Sequence, residues 1–148
     1  MPQSRLYQLG SLLLRLVVGC TFALAAVLKL RDPAAFAEQT GNYQFLPELA
    51  NYVAITLPSV ELAAALVLIL GPRLWRQGAS LVFGGLLVVF TSAIARAWAM
   101  GINLECGCFG AGSTSIGPWP ILRNVGLLTA ILLAWRLEQR AKLRMSAS

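Results

Sequence analysis

The chain has 148 residues, 57% apolar and only 12% charged, with three cysteines and no histidine. Soluble domains carry roughly 25% charged residues, so this composition excludes a water-soluble enzyme and makes the bilayer the expected solvent. A net charge of +6 could serve nucleic-acid binding, but the positions of the charges argue against that and for a membrane topology.

Four apolar runs, at about residues 6–30, 46–70, 79–100 and 119–136, approach or exceed the ~20 residues that carry a helix across ~30 Å of hydrocarbon. They are continuous rather than alternating, which predicts helices and not a barrel. The expected fold is all-α: a four-helix transmembrane bundle forming a single integral membrane domain over residues 1–148. Arg5, Arg73, Arg76, Arg136, Arg140, Lys142 and Arg144, seven of the twelve basic residues, fall at alternate ends of the runs. The positive-inside rule assigns that side, and both termini with it, to the cytoplasm. The opposite loops carry Lys29 and Arg31 with Asp32, Glu38, Glu48 and Glu105. The loop at 101–118 is therefore expected to face outward. In a bacterium this predicts an inner-membrane protein with that loop on the oxidising side, where disulfides persist.

In the first run, Val17-Val18-Gly19-Cys20 resembles a lipoprotein cleavage site, but Arg15 interrupts the apolar core and the run continues to Leu30, which favours an uncleaved helix. Arg15, Gly19, Phe22, Ala26 and Lys29 recur at helical spacing and share a face. Two readings of its cations stay open: a buried site, or snorkelling of Lys29 outward and Arg15 inward. Cys20 points away from this stripe and is expected to be a small buried apolar residue. The loop that follows holds Phe36, Tyr43 and Phe45, and Asp32-Pro33 predicts the start of a short amphipathic helix along the membrane surface.

The second run contains Pro58 and Glu61; a carboxylate at that depth has to be paired, protonated or turned to a polar cavity. Ala54, Pro58, Glu61 and Ala65 share a face of small residues suited to close packing. Gly71-Pro72-Arg73 makes the inner turn. In the third run Gly85, Val89, Ser92 and Arg96 form a stripe, and Gly101 ends the helix. The fourth begins near Trp119-Pro120, carries Arg123 and Asn124 close to its outer end, and passes beyond Trp135 into a basic tail expected to be solvated. Lys29, Glu61, Arg96, Arg123 and Asn124 thus come from all four runs at similar depth, which points to a shared polar site.

The covalent chemistry available to the chain lies in Cys106-Gly107-Cys108-Phe109-Gly110. A disulfide between residues two apart closes a ring worth only about 1.6 kcal/mol by loop entropy before strain, a poor staple. Strain makes such a bond exchangeable, Gly107 relieves its tightest geometry, and nearby cations stabilise a thiolate. Zinc lacks ligands here, since two thiolates have no histidine to join them; copper(I), which accepts two soft ligands, stays open as a metal, and so does a structural disulfide. Positive charge beneath the cysteines would also suit the anion of a reduced membrane quinone, the candidate cofactor.

Lys29-Leu30 with Asp32-Pro33 and Phe36, Leu57-Pro58 with Glu61, the Cys106-to-Gly110 element and Arg123-Asn124 together resemble the MauE/DoxX-like family of redox-associated membrane proteins over nearly the whole chain. The cysteine element followed by the arginine-asparagine pair is the part specific to the MauE branch. The resemblance implies a bacterial inner-membrane protein tied to disulfide formation in partner proteins, with a role in maturing methylamine dehydrogenase beside an extracytoplasmic thioredoxin-like protein or another disulfide-rich client. In plan, but not in sequence, the chain is similar to DsbB and vitamin K epoxide reductase, from which it departs by lacking a second cysteine pair. The expected function is thiol–disulfide exchange by Cys106 and Cys108, with Lys29, Glu61, Arg96, Arg123 and Asn124 in support. Two alternatives stand beside it: a non-enzymatic assembly subunit and a small transporter.

Overall fold

A computed structural model describes residues 2–42, 49–101 and 117–146, nearly all of them helical. Four long helices, α1 (Pro2–Arg31), α3 (Ala50–Leu70), α4 (Arg73–Ala99) and α5 (Pro118–Ser146), are joined by a short α2 (Pro33–Asn42) after the first. The stretches Arg5–Arg31, Ala50–Leu70, Arg73–Ala99 and Pro118–Leu143 are each long and apolar enough to cross a membrane, and the chain is a multi-pass membrane protein. α1 packs on α3 and α5, and α4 packs on the same two, so the long helices form a ring. Phe22 and Phe83 close its diagonal, with ring centroids 4.1 Å apart, amid Val18, Ala65, Leu68, Leu87 and Ile131. One end of the bundle carries both termini, and the other carries α2 and both attachment points of the 102–116 segment; these are the terminal end and the loop end below.

Three of the helices overrun their apolar stretches. α1 begins at Pro2, α4 begins at Arg73 rather than near 79, and α5 reaches Ser146 rather than ending near 136. Apolar runs measure the hydrocarbon layer, whereas helical hydrogen bonding continues through the headgroup zone, where charged side chains are solvated. The stretch after Trp135 is consequently a helix packed along one side, with Ala141 buried and Leu137 against Gly10 of α1, while its basic residues Arg136, Arg140 and Lys142 stay exposed as expected.

Asp32 starts α2 in the expected way. Its Oδ1 accepts a hydrogen bond from the Ala35 N–H at 3.0 Å, its carbonyl accepts one from the Phe36 N–H at 3.2 Å, and Pro33 sits where no N–H is needed. Phe36 and Ala37 are then pressed against Ala54 and Leu57 of α3, which makes α2 a cover on the bundle. At the α3–α4 turn the Gly71 N–H closes on the Val67 carbonyl at 2.9 Å, and a Cβ on Gly71 would come within 2.5 Å of that oxygen.

Several features mark the outer surface as lipid-facing. Trp75 near one end of α4 and Trp98 near the other are exposed, and 23 residues at 1.5 Å each separate them by about 34 Å, close to the bilayer's thickness. Exposed hydroxyls bond to their own helix: Thr21 donates to the Val17 carbonyl at 2.7 Å, Thr56 to Tyr52 at 2.7 Å, Ser59 to Ile55 at 2.8 Å and Thr129 to Val125 at 2.8 Å. Such bonds satisfy polar groups where no water is present.

One sequence expectation is corrected by the packing, and one left open is decided. Cys20 is exposed, because the helix face opposite the Gly19–Phe22 stripe in a ring of four points to lipid; an apolar surrounding does not require burial in protein. The Gly85–Val89–Ser92–Arg96 stripe also faces outward, and α4 instead buries Ala79, Phe83, Leu87, Ile94 and Ala97. Gly19 marks the tightest helix crossing: a Cβ there would lie 2.6 Å from Ile69 Cγ1 and 2.8 Å from Ile69 Cδ1. Gly19→Val is expected to lower stability by about 1–3 kcal/mol through overpacking, read as a fall in thermal midpoint in detergent, whereas Gly85→Val, with nothing near its Cβ, leaves the midpoint in place.

Candidate functional site

Lys29, near the end of α1, and Glu61, midway along α3, meet inside the loop end of the bundle. Lys29 Nζ lies 2.8 Å from both Glu61 Oε1 and Oε2, and the two residues are 1% and 0% exposed. The pair is possible because the Ala54, Pro58 and Ala65 face of α3 brings α1 close, as the small-residue pattern predicts. Desolvating two charges is expensive, so the remaining surface of the ammonium needs compensation. It is supplied by two aromatic faces: Phe36 of α2, 5.1 Å from Nζ to ring centroid, and Phe90 of α4, at 5.2 Å. α2 thus functions as a lid whose buried Phe36 closes the charge off from the loop end. Of the two readings of Lys29, burial is the one realised, and snorkelling is not.

Arg123 and Asn124 of α5 line a small cavity with Lys29, Glu61 and Phe90. Asn124 is buried and donates from Nδ2 to Thr91 Oγ1 of α4 at 3.3 Å, so all four long helices contribute a polar group. The cavity is about 30 Å³, enough for about one water and too small for a quinone ring. The described residues therefore do not fit a quinone at this position. Arg96, the fifth member expected, is exposed on α4 and does not line the cavity; its stripe is the one that α4 turns outward. Lys29 and Arg123 are the cations that line this cavity, and Glu61 is its one carboxylate among the described residues.

Cys106, Gly107, Cys108, Phe109 and Gly110 lie outside the described residues. The attachment points of their segment are described. α4 ends where Gly101, at a φ of 69°, donates its N–H to the Trp98 carbonyl at 3.0 Å, a left-handed residue that favours glycine. α5 restarts with Pro118 at its first position, a residue that gives up no hydrogen bond there. Both ends of the segment are thereby fixed to the same end of the bundle as the ion pair.

A second charged cluster at the terminal end escaped the sequence reading. Glu138 Oε1 lies 3.3 Å from Arg15 Nη1 and 3.3 Å from Arg76 Nη2, joining α1, α4 and α5. Arg73 Nη2 donates to Gln139 Oε1 at 3.1 Å, and Arg76 Nη1 to the Gly71 carbonyl at 3.1 Å. The available signal was Glu138 itself: a lone acid in a run of basic residues, one helical turn beyond the apolar stretch and on the side of the membrane where Arg76 and Arg15 also lie.

Comparison with known proteins adds to this geometry. The family model described as methylamine utilisation protein MauE matches residues 7–137. A methylamine utilization protein MauE of Paracoccus denitrificans is 37% identical over 124 residues, covering 82% of this chain and 65% of the relative. One of Paracoccus versutus is 36% identical over 122 residues, 81% of this chain and 64% of the relative. The chain thus spans a little under two thirds of the length of these curated relatives. No solved structure matches.

Proposed function

The chain belongs to the MauE family of methylamine utilisation proteins, and from that premise we propose that it is a bacterial inner-membrane thiol–disulfide exchange protein acting through Cys106 and Cys108. Its partner is an extracytoplasmic thioredoxin-like protein or a disulfide-rich client, of the kind matured in a methylamine dehydrogenase system. One cysteine attacks the partner's disulfide as a thiolate, forming a mixed disulfide and releasing a partner thiolate. The second cysteine then attacks the mixed bond and releases the other partner sulfur. The dithiol becomes a disulfide, the disulfide becomes a dithiol, and two electrons and two protons change hands with no outside oxidant; the reverse sequence runs the exchange the other way.

The observation that carries this reading is the anchoring of the Cys106–Gly107–Cys108 segment, through Gly101 and Pro118, to the end of the bundle that holds a rigid polar cluster. Lys29–Glu61, Asn124–Thr91 and the Phe36 lid hold the four helices in one arrangement there. Arg123 lines the same cavity and adds positive charge at this end of the bundle, which favours a thiolate over a thiol. Electrons are exchanged with a protein partner in this scheme, and a quinone has no part in it.

The assembly-subunit reading draws on a specific observation as well. A buried pair sealed by Phe36 and Phe90 is a way to fix helix packing, and a role in holding a partner would need nothing more from it. A transport role is disfavoured by the stacked Phe22 and Phe83, which with Leu68, Leu87 and Ile131 fill the bundle between its two polar clusters.

The deciding experiment is thiol labelling of intact cells with a membrane-impermeant reagent, during graded reduction, in a Cys20→Ser background so that only the pair reports. The expected result is reversible labelling from outside, with a midpoint in the range of exchange catalysts, about −120 to −270 mV. Cysteines that resist strong reduction, or that label only from the cytoplasmic side, would replace this reading with the assembly subunit.

A further inference from the structure

At the terminal end, α1, α4 and α5 line a second, open cavity of about 480 Å³, far larger than the one beside Lys29. Arg5 and Arg15 of α1, Arg73 and Arg76 of α4 and Lys142 of α5 line it against a single carboxylate, Glu138, a surplus of four positive charges. Glu138 is already shared between Arg15 and Arg76. Arg5, Arg73 and Lys142 have no carboxylate partner among the described residues. Concentrating like charges around an open volume is unfavourable unless an anion enters it.

Two independent observations sharpen this. Ser11 is 1% exposed and lines the same cavity, yet its hydroxyl has no hydrogen-bond partner among the described residues. A buried hydroxyl without a partner is uncommon and suits an oxyanion acceptor. In addition, the exposed Trp75 sits between Arg73 and Arg76 on α4, and tryptophan at a helix end marks the headgroup layer. The basic side chains are thereby set at the depth of lipid phosphates. Leu9 and Leu12, exposed on α1, line the same opening with apolar surface.

We infer that this cavity is a binding site for a phosphate-bearing anion. Its guanidinium groups present paired donors to phosphate oxygens, and basic pockets between membrane helices take up anionic headgroups. In a bilayer the source is an anionic phospholipid, whose acyl chains would run beside Leu9 and Leu12; in water it is free phosphate. It lies at the opposite end of the bundle from the attachment points of the cysteine segment and has no part in the chemistry proposed for that segment.

The test uses the full chain in neutral detergent, titrated with phosphatidylglycerol, with phosphatidylcholine and with inorganic phosphate. Bound lipid is read by native mass spectrometry, and phosphate by the shift of the thermal midpoint. Phosphatidylglycerol is expected to be retained about tenfold more strongly than phosphatidylcholine, and an Arg73→Gln, Lys142→Gln double variant is expected to lose that preference. Arg5→Gln, at the exposed rim, provides a second variant should the double one fail to fold. Lipid binding that inorganic phosphate does not compete supports the site with a membrane source. Phosphate binding that is lost in the variants supports it with a soluble source. Equal retention of the two lipids with no response to phosphate, or anion binding unchanged in the variants, would overturn it.

Discussion

Glu61→Gln is expected to destabilise the bundle by about 3–5 kcal/mol, because it leaves the Lys29 ammonium buried without its counter-charge. The expectation rests on geometry. Both carboxylate oxygens lie 2.8 Å from Nζ, and neither residue reaches solvent. The two aromatic faces at 5.1 and 5.2 Å compensate part of the ammonium's desolvation, on the order of 0.5–2 kcal/mol, and cannot replace a carboxylate. Lys29→Met alone is expected to be destabilising too, since Glu61 then has no cation at hydrogen-bond distance. The double variant Lys29→Met, Glu61→Gln removes both charges and is expected to recover most of the loss, so that the cycle returns a coupling of several kcal/mol. Denaturant unfolding in detergent measures all four proteins. A Glu61→Gln protein as stable as the native one would mean that water reaches the pair and that the Phe36 lid does not seal it. The recovered double variant also separates the two roles of the cluster: if it folds and disulfide exchange persists, the pair serves packing alone.

Much of this was legible from residue types and spacing. Four apolar runs fixed the number of spans, Asp32-Pro33 announced α2, and the Ala54–Pro58–Glu61–Ala65 pattern identified the buried face of α3. Glu61 needs a partner because the bilayer offers none, which is why Lys29, Arg123 and Asn124 group with it from the sequence alone. The same solvent hides other information. In water, a stripe of small and polar residues tells a helix which way to face; in lipid, both faces are apolar, and the stripe of Gly85, Val89 and Ser92 does not by itself show that it faces outward. Similar depth groups Arg96 with the cluster but fixes no direction around the helix axis, and a small apolar residue such as Cys20 packs as well against lipid as against protein. The terminal-end cluster is hidden on different grounds: the positive-inside rule accounts for the basic residues there by topology alone, and nothing in their spacing assigns Glu138 to Arg15 and Arg76. What no spacing argument supplies is volume, and the roughly 30 Å³ beside Lys29 leaves no space for a quinone ring among the described residues.

Substituting both Cys106 and Cys108 with serine is expected to abolish exchange with a partner while leaving the fold in place. A disulfide closing so small a ring contributes at most about 1.6 kcal/mol, and strain subtracts from that. For a protein of this length, that corresponds to a fall in thermal midpoint of no more than about 7 °C. The contacts that hold the described bundle together, from Phe22–Phe83 to Lys29–Glu61, are made by other residues. Activity and stability therefore separate under this substitution, whereas they fall together for Glu61→Gln. The single variants carry more information than the double one. The protein that retains the attacking cysteine and lacks the resolving one cannot release its partner, and it is expected to accumulate a mixed disulfide visible as a reductant-sensitive adduct on a non-reducing gel. The other single variant forms none, so the pair of results identifies which of Cys106 and Cys108 attacks. Full partner maturation in the double variant would assign the family's role in this chain to docking alone, with the cysteines as bystanders.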